Sequence, residues 1–253
     1  MEPNDLKKRF VGIYGGDESD LRVFSAAGRV NLIGEHIDYC GGKVFPAALN
    51  LRTTVVARKN GENVIRLAAT TIDDRVTLDI GNLNAYRDLK WGDYQAGVAY
   101  VMQQAGYDIV GCDLLYDTTV PFGSGLSSSA SIEVATGMTL ATFSGEAGGK
   151  GVDLVQLAVL GQKSENTYNG VNCGIMDQFA SSLGKRTTRF CSTARRSITS
   201  TFRSTSAATV SLSQTATNRV RFRTASTTNV APKSKRLSNC LKPCSPALPV
   251  LPT

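Results

Sequence analysis

Two stretches of this chain are dense enough in donors, acceptors and turn-forming glycines to do chemistry. The first is Pro121-Phe122-Gly123-Ser124-Gly125-Leu126-Ser127-Ser128-Ser129-Ala130-Ser131. Gly123 and Gly125 permit positive φ and let a bulky anion approach the backbone. The serines set hydroxyls where the first N–H groups of a following helix have no partner. A loop of this build at a helix start binds phosphate. It has no lysine in a GxxxxGK pattern and is not GxGxxG, so nucleotide binding here implies a different fold. The plain alternative is a flexible linker or an ordinary serine-capped helix, and the flanking strand and helix favour the anion site.

The second stretch is Gly28-Arg29-Val30-Asn31-Leu32-Ile33-Gly34-Glu35-His36-Ile37-Asp38-Tyr39-Cys40-Gly41-Gly42. Arg29, Glu35, His36 and Asp38 crowd a segment whose glycines allow tight turns, and carboxylates beside an imidazole suit the hydroxyls of a sugar. A solvated turn with incidental ion pairs is the alternative. His36 is the only histidine, so a base must be His36 or a carboxylate.

The elements that must position these residues alternate along the chain. Asp5 to Tyr14 has Leu6, Phe10 and Ile13 at helical spacing. Leu21 to Ile33, Thr53 to Arg58 and Val64 to Ala69 read as strands, the last two separated by the turn signal Asn60-Gly61. Asp93 to Gln104 is a helix stopped by Gly106, and Leu114 to Val120 is a strand running into the glycine loop. Ser127 to Phe143, Asp153 to Tyr168 and Asp177 to Leu183 are helical. The fold class is α+β.

At 253 residues and 42% apolar composition the chain can bury a sizeable core. No stretch approaches the roughly 18 apolar residues of a membrane helix, and Met1-Glu2-Pro3-Asn4-Asp5 is not a signal peptide, so the cytosol is expected. The six cysteines form no CxxC pair, and neither a disulfide framework nor a zinc site is suggested. The net charge of +7 hides two opposite parts. Residues 1–185 carry 16 Lys and Arg against 21 Asp and Glu; residues 186–253 carry 12 and none. The latter segment also has 24 Ser and Thr, five of the eight prolines and no glycine. Its single-sign charge with few aromatics does not make a nucleic-acid site.

Gly28–Gly42 resembles the galactokinase signature, departing at Ile37, where Thr is usual, and at Cys40, where Asn is usual. Pro121–Ser131 resembles the nucleotide-binding motif shared by the GHMP kinases (galactokinase, homoserine, mevalonate and phosphomevalonate kinases). Cys173-Gly174-Ile175-Met176-Asp177-Gln178-Phe179 is similar to their catalytic aspartate motif. The resemblance runs from about residue 5 to 185. It implies the GHMP-kinase amino-terminal domain, ribosomal protein S5 domain 2-like, and ATP-dependent phosphorylation of the anomeric hydroxyl of galactose. Asp177 would be the base and Arg29 its charge partner, with Glu35, His36, Asp38 and Gly174 holding the sugar. Gly123, Ser124, Gly125, Leu126, Ser127, Ser128 and Ser129 would wrap the ATP phosphates, with Ser129 and Glu165 on Mg2+. For Glu165 the alternative is a solvated helix face, and for Asp177 a helix N-cap. The implied partners are galactose and ATP, on a monomer without nucleic-acid or membrane partners. Alternatives are N-acetylgalactosamine or another GHMP substrate, and a non-catalytic sugar- and ATP-sensing regulator.

The family pattern stops after Gly184-Lys185. One set of codons for Arg186 to Arg203, read from the third base of the first codon, yields DHAILLDCATLDYQHVP, the kind of sequence the family has at this point. Residues 186–253 are therefore expected to be an out-of-frame, disordered basic tail, the carboxy-terminal domain to be missing, and this product to be inactive. A natural disordered basic tail is the alternative.

Overall fold

The computed structural model describes residues 1–39, 42–89, 91–184, 188–193 and 198–203. The strands are β1 (Arg22–Asn31), β2 (Lys43–Val44), β3 (Pro46–Lys59), β4 (Val64–Ala69), β5 (Ile72–Asp79), β6 (Cys112–Thr118), β7 (Thr188–Thr193) and β8 (Ile198–Arg203). The α-helices are α1 (Pro3–Tyr14), α2 (Asp93–Gln104), α3 (Ser128–Glu146), α4 (Leu154–Thr167) and α5 (Met176–Leu183), with a 3-10 segment at Ile80–Tyr86.

One mixed sheet has the order β2-β7-β3-β6-β4-β5, with β1 also on β3 and β8 on β7. β6 lies between β3 and β4, antiparallel to the first and parallel to the second. The two strands on either side of the Asn60-Gly61 turn are thus not paired with each other. Gly61 at φ 72° makes that turn.

Burial follows the strand period of two. In β3, Val55 and Ala57 join the larger core, whereas Val56 joins the smaller one; in β6, Leu114 and Tyr116 go one way and Leu115 the other. The larger core takes Ala96, Val98, Val101 and Met102 from α2, Val134, Leu140 and Phe143 from α3, and Leu157 and Leu160 from α4. The smaller is closed by Leu6 and Phe10 of α1. The sheet therefore has helices on both faces. α4 begins where Asp153 accepts from the N–H groups of Val155 and Gln156.

Within the segment expected to be a disordered tail, the described residues 188–193 and 198–203 form strands. β7 and β8 pair antiparallel from Thr188↔Arg203 to Thr193↔Ile198, and β7 also pairs with β2 and, at Ala47↔Arg189, with β3. The residues in these strands, Thr188, Phe190, Thr193, Ile198, Thr199, Thr201 and Phe202, are β-branched or aromatic types that suit a strand. Residues 204–253 lie outside the described residues.

Candidate active site

The glycine loop closes against β1 at Gly28. There the β1–β3 register shifts, and a Cβ on Gly28 would come within 2.8 Å of the Leu126 carbonyl oxygen. Without one, the next residue docks: Arg29 N–H donates to Leu126 O at 3.1 Å. Its guanidinium then reaches across the site. Nε donates to Asp177 Oδ1 at 2.8 Å, Nη2 to Asp177 Oδ2 at 2.7 Å and Nη1 to Gly125 O at 2.6 Å. A planar fork on a carboxylate fixes both direction and distance. Helix α5, which carries Asp177 in its first turn, is held to β1 by Ser181 Oγ donating to Ala27 O at 2.7 Å.

Ser127 completes this pair. It stands before α3 in the left-handed region, φ 58° and ψ 53°, a costly conformation for a serine. There its Oγ donates to Asp177 Oδ2 at 2.5 Å. The hydroxyl of Ser127, which is expected among the phosphate contacts, thus engages the aspartate. Leu126 likewise gives its carbonyl to β1. Gly123 and Gly125, at φ 68° and 73°, form the turn, and Ser124 Oγ donates to Pro121 O at 2.7 Å. Ser128 and Ser129 open the first turn of α3, and the Ser129 hydroxyl has no partner among the described residues.

Asp38 and Gly174 meet. The carboxylate is 8% exposed and lies against the Gly174 Cα, where any side chain would overlap it. Glu35 and His36 stand on the exposed turn 35–39. His36 adopts φ 59° and its Nδ1 lies 2.9 Å from Tyr39 Oη; the side-chain hydrogen bonds of Arg29 and Asp177 go to each other, to Gly125 and to Ser127. Cys40 and Gly41 fall outside the described residues.

Glu165 is buried rather than on a solvated helix face. Its Oε2 accepts from Gln178 Nε2 at 2.9 Å and from the Cys173 thiol at 2.9 Å. Gln178 Nε2 also donates to Glu133 Oε2 at 3.0 Å. Burial, and next the Glu165 charge, push the Glu133 pKa well above the ordinary carboxylate value. Among the described residues no Lys or Arg pairs with either carboxylate. Nor is any group of three or more His, Cys, Asp or Glu among them placed to hold a metal unaided.

A cavity of about 390 Å3 opens beside the loop, lined by Ser128 and Ser129 together with Trp91, Tyr94, Phe122 and Ile132. Sequence reasoning missed this wall, because single aromatics carry no spacing signal. It also missed Glu133, which was visible as the one acid inside the apolar run of α3 before Glu146.

The three segments converge through Arg29 and Asp177, and comparison with known proteins agrees with them. A family model for the galactokinase galactose-binding signature matches residues 8–59, and one for the GHMP kinases N terminal domain matches residues 93–185. The chain carries a galactokinase-type galactose-binding signature and a GHMP-kinase amino-terminal domain. The galactokinase of Clostridium tetani (strain Massachusetts / E88) is 45% identical over 186 residues, 74% of this chain and 46% of that protein. The galactokinase of Bacillus subtilis (strain 168) is 39% identical over 185 residues, 72% of this chain and 46% of that protein. The chain thus spans about half the length of the galactokinases it matches. The crystal structure of Lactococcus lactis galactokinase complexed with galactose superposes with a TM-score of 0.73 at 33% identity, over 79% of this chain and 51% of that one. A mevalonate kinase from Methanococcus jannaschii, 17% identical with a TM-score of 0.61, shares the fold.

Proposed function

We propose that residues 1–185 carry the sugar site and most of the ATP phosphate site of a kinase that transfers the γ-phosphoryl group of ATP to the anomeric hydroxyl of galactose. The observation that carries this reading is the Arg29 fork on Asp177, set between the glycine loop and the Asp38–Gly174 contact. Of the two Asp177 oxygens, Oδ2 accepts from Arg29 and Ser127, whereas Oδ1 accepts from Arg29 alone. A carboxylate oxygen offers about two lone-pair positions. The Asp177 carboxylate is the group that takes the proton of the anomeric hydroxyl as that oxygen attacks phosphorus. Arg29 offsets charge on this side and, through Gly125, holds the loop at a fixed distance from the base. Asp38 accepts from sugar hydroxyls, with Glu35 and His36 as further sugar ligands on the exposed turn.

Gly123 to Ser129 present backbone N–H groups and the α3 N-terminus to the phosphates, and the aromatic-lined cavity receives the adenine base. Ser129 and Glu165 are the protein ligands for Mg2+: a buried carboxylate without a cation, with Oε1 unpartnered among the described residues, suits an ion that takes the rest of its oxygens from water and phosphate. When bound, Mg2+ neutralises charge on the phosphates. The domain boundary at 185, where the family match and the acidic composition both end, a monomeric state and a cytosolic location complete the reading. No helix among the described residues is long and apolar enough to cross a membrane.

Calorimetric titration of the 253-residue chain with galactose and with Mg·ATP, beside a coupled transfer assay, tests it. Asp177→Asn should bind galactose within a few-fold of the unaltered chain and abolish any transfer detected. Binding of neither ligand, or transfer unchanged by Asp177→Asn, refutes the assignment.

A further inference from the structure

Glu165 is oriented by a contact pattern that its proposed role as a metal ligand does not by itself require. Two donors, the Cys173 thiol and the Gln178 amide, converge on the same oxygen, Oε2, the thiol lying nearer to it, at 2.9 Å, than to Asn166 Oδ1, at 3.4 Å. Oε1 receives no donor from the described residues. Both donors are themselves fixed. Cys173 is stapled to α4: its N–H donates to Asn166 Oδ1 at 2.9 Å, its carbonyl accepts from Gln162 Nε2 at 3.2 Å, and Val171 N–H donates to Glu165 O at 2.8 Å. Gln178 is fully buried on α5, directly after Asp177, with one amide hydrogen for Glu165 and one for Glu133.

A purely structural residue at 178 would be apolar. Gln178 keeps its carbonyl oxygen buried without a partner, and so does the Oε1 of Glu133. An unmet buried polar atom costs stability, so an amide retained here is retained for what it donates.

We propose that Cys173 and Gln178 are positioning residues for Glu165, pinning Oε2 so that Oε1 is left as the oxygen that ligates Mg2+. Because Gln178 adjoins Asp177, the same short segment, residues 173–178, sets both the metal ligand and the base. The inference rests on Glu165 being a metal ligand, and the test separates the two.

The experiment follows the thermal unfolding of the 253-residue chain at fixed ATP while Mg2+ is titrated, with a galactose titration alongside. Removing an outer partner of a metal ligand costs about 10- to 100-fold in affinity. Cys173→Ala and Gln178→Leu should raise the half-saturating Mg2+ at least about 10-fold, while Cys173→Ser, which keeps a donor, stays within about threefold. The galactose-induced shift should not change. Should Gln178→Leu fail to fold, the half-buried Cys173 pair decides alone. If Glu165→Gln raises the Mg2+ midpoint but Cys173→Ala does not, the inference falls and the metal-ligand reading stands. If Glu165→Gln has no effect, or the unaltered chain shows no Mg2+-dependent shift, both fall. Equal loss of the Mg2+ and galactose responses in Cys173→Ala would mean a general packing role and also overturns it.

Discussion

Replacing Gly174 by alanine probes the contact that places Asp38. All three atoms of the Asp38 carboxylate lie within 2.8 Å of where the new Cβ would stand, whereas carbon needs about 3.5 Å from its neighbours. The backbone at 174 is not left-handed, so the overlap alone is tested. Asp38 is almost enclosed and must be driven out of place, a kind of overpacking that costs about 1–3 kcal/mol. The overlap is with one side chain, so shortening that side chain should recover most of the loss. The double variant Gly174→Ala/Asp38→Gly should therefore show a favourable coupling of about 1 kcal/mol or more in a cycle. In the proposed sugar-binding role, a displaced carboxylate would also lose charge-assisted hydrogen bonds to the sugar, about 1.5–3 kcal/mol, which is roughly 10- to 150-fold in Kd. Urea unfolding of the four proteins gives the coupling and calorimetry gives the galactose affinity. Additive losses, or unchanged galactose binding by Gly174→Ala, would refute the reasoning.

Glu133→Gln should flatten part of the pH dependence of stability. Glu133 binds its proton more tightly in the folded protein than in the unfolded one, so its contribution is complete below the unfolded value near 4.5 and is lost as pH rises toward the raised folded value. As pH rises above the unfolded value the unaltered chain should lose up to about 1.4 kcal/mol per pH unit relative to the variant; parallel stability curves in urea would contradict this. Leu115→Ala, under α1 on the smaller core, should cost about 2–5 kcal/mol by the same method, and a loss below about 1 kcal/mol would mean that α1 contributes little. Reading the coding DNA across residues 180–200 should show a frame that gives the strand sequence of galactokinases when shifted; codons incompatible with that shifted sequence would dismiss the frame change.

Local signals carried far along this chain. Val64–Ala69 and Asp93–Gln104 have the bounds that their apolar spacing implies, and α4 lies within one residue of the expected bounds at each end. β5 was not legible because Asp73, Asp74 and Arg75 are exposed on the last strand of the sheet, where burial does not impose alternation. The insertion of β6 between β3 and β4 is a non-local pairing that no window of sequence contains. Arg29, Asp177 and the glycine loop were legible because their motifs are contiguous. Ser127 on Asp177 and Gln178 between two glutamates were not, since each bond joins residues 13 to 50 positions apart. For β7 and β8, charge and missing glycine pointed to disorder, while the β-branched content points to strand.

Arg29 finds its carboxylate 148 positions further along the chain. At a synthesis rate of about 5–20 residues per second, the arginine exists for roughly 7 to 30 s before Asp177 is even made. During that interval β1 can pair with β3 and α1 can pack, but the guanidinium must remain in water. The Arg29–Asp177 pair can therefore form only after β1 to β6 have been made. A chain interrupted before α5 would hold β1 to β6 but neither β7 nor β8, and its arginine would have no Asp177 carboxylate to grip.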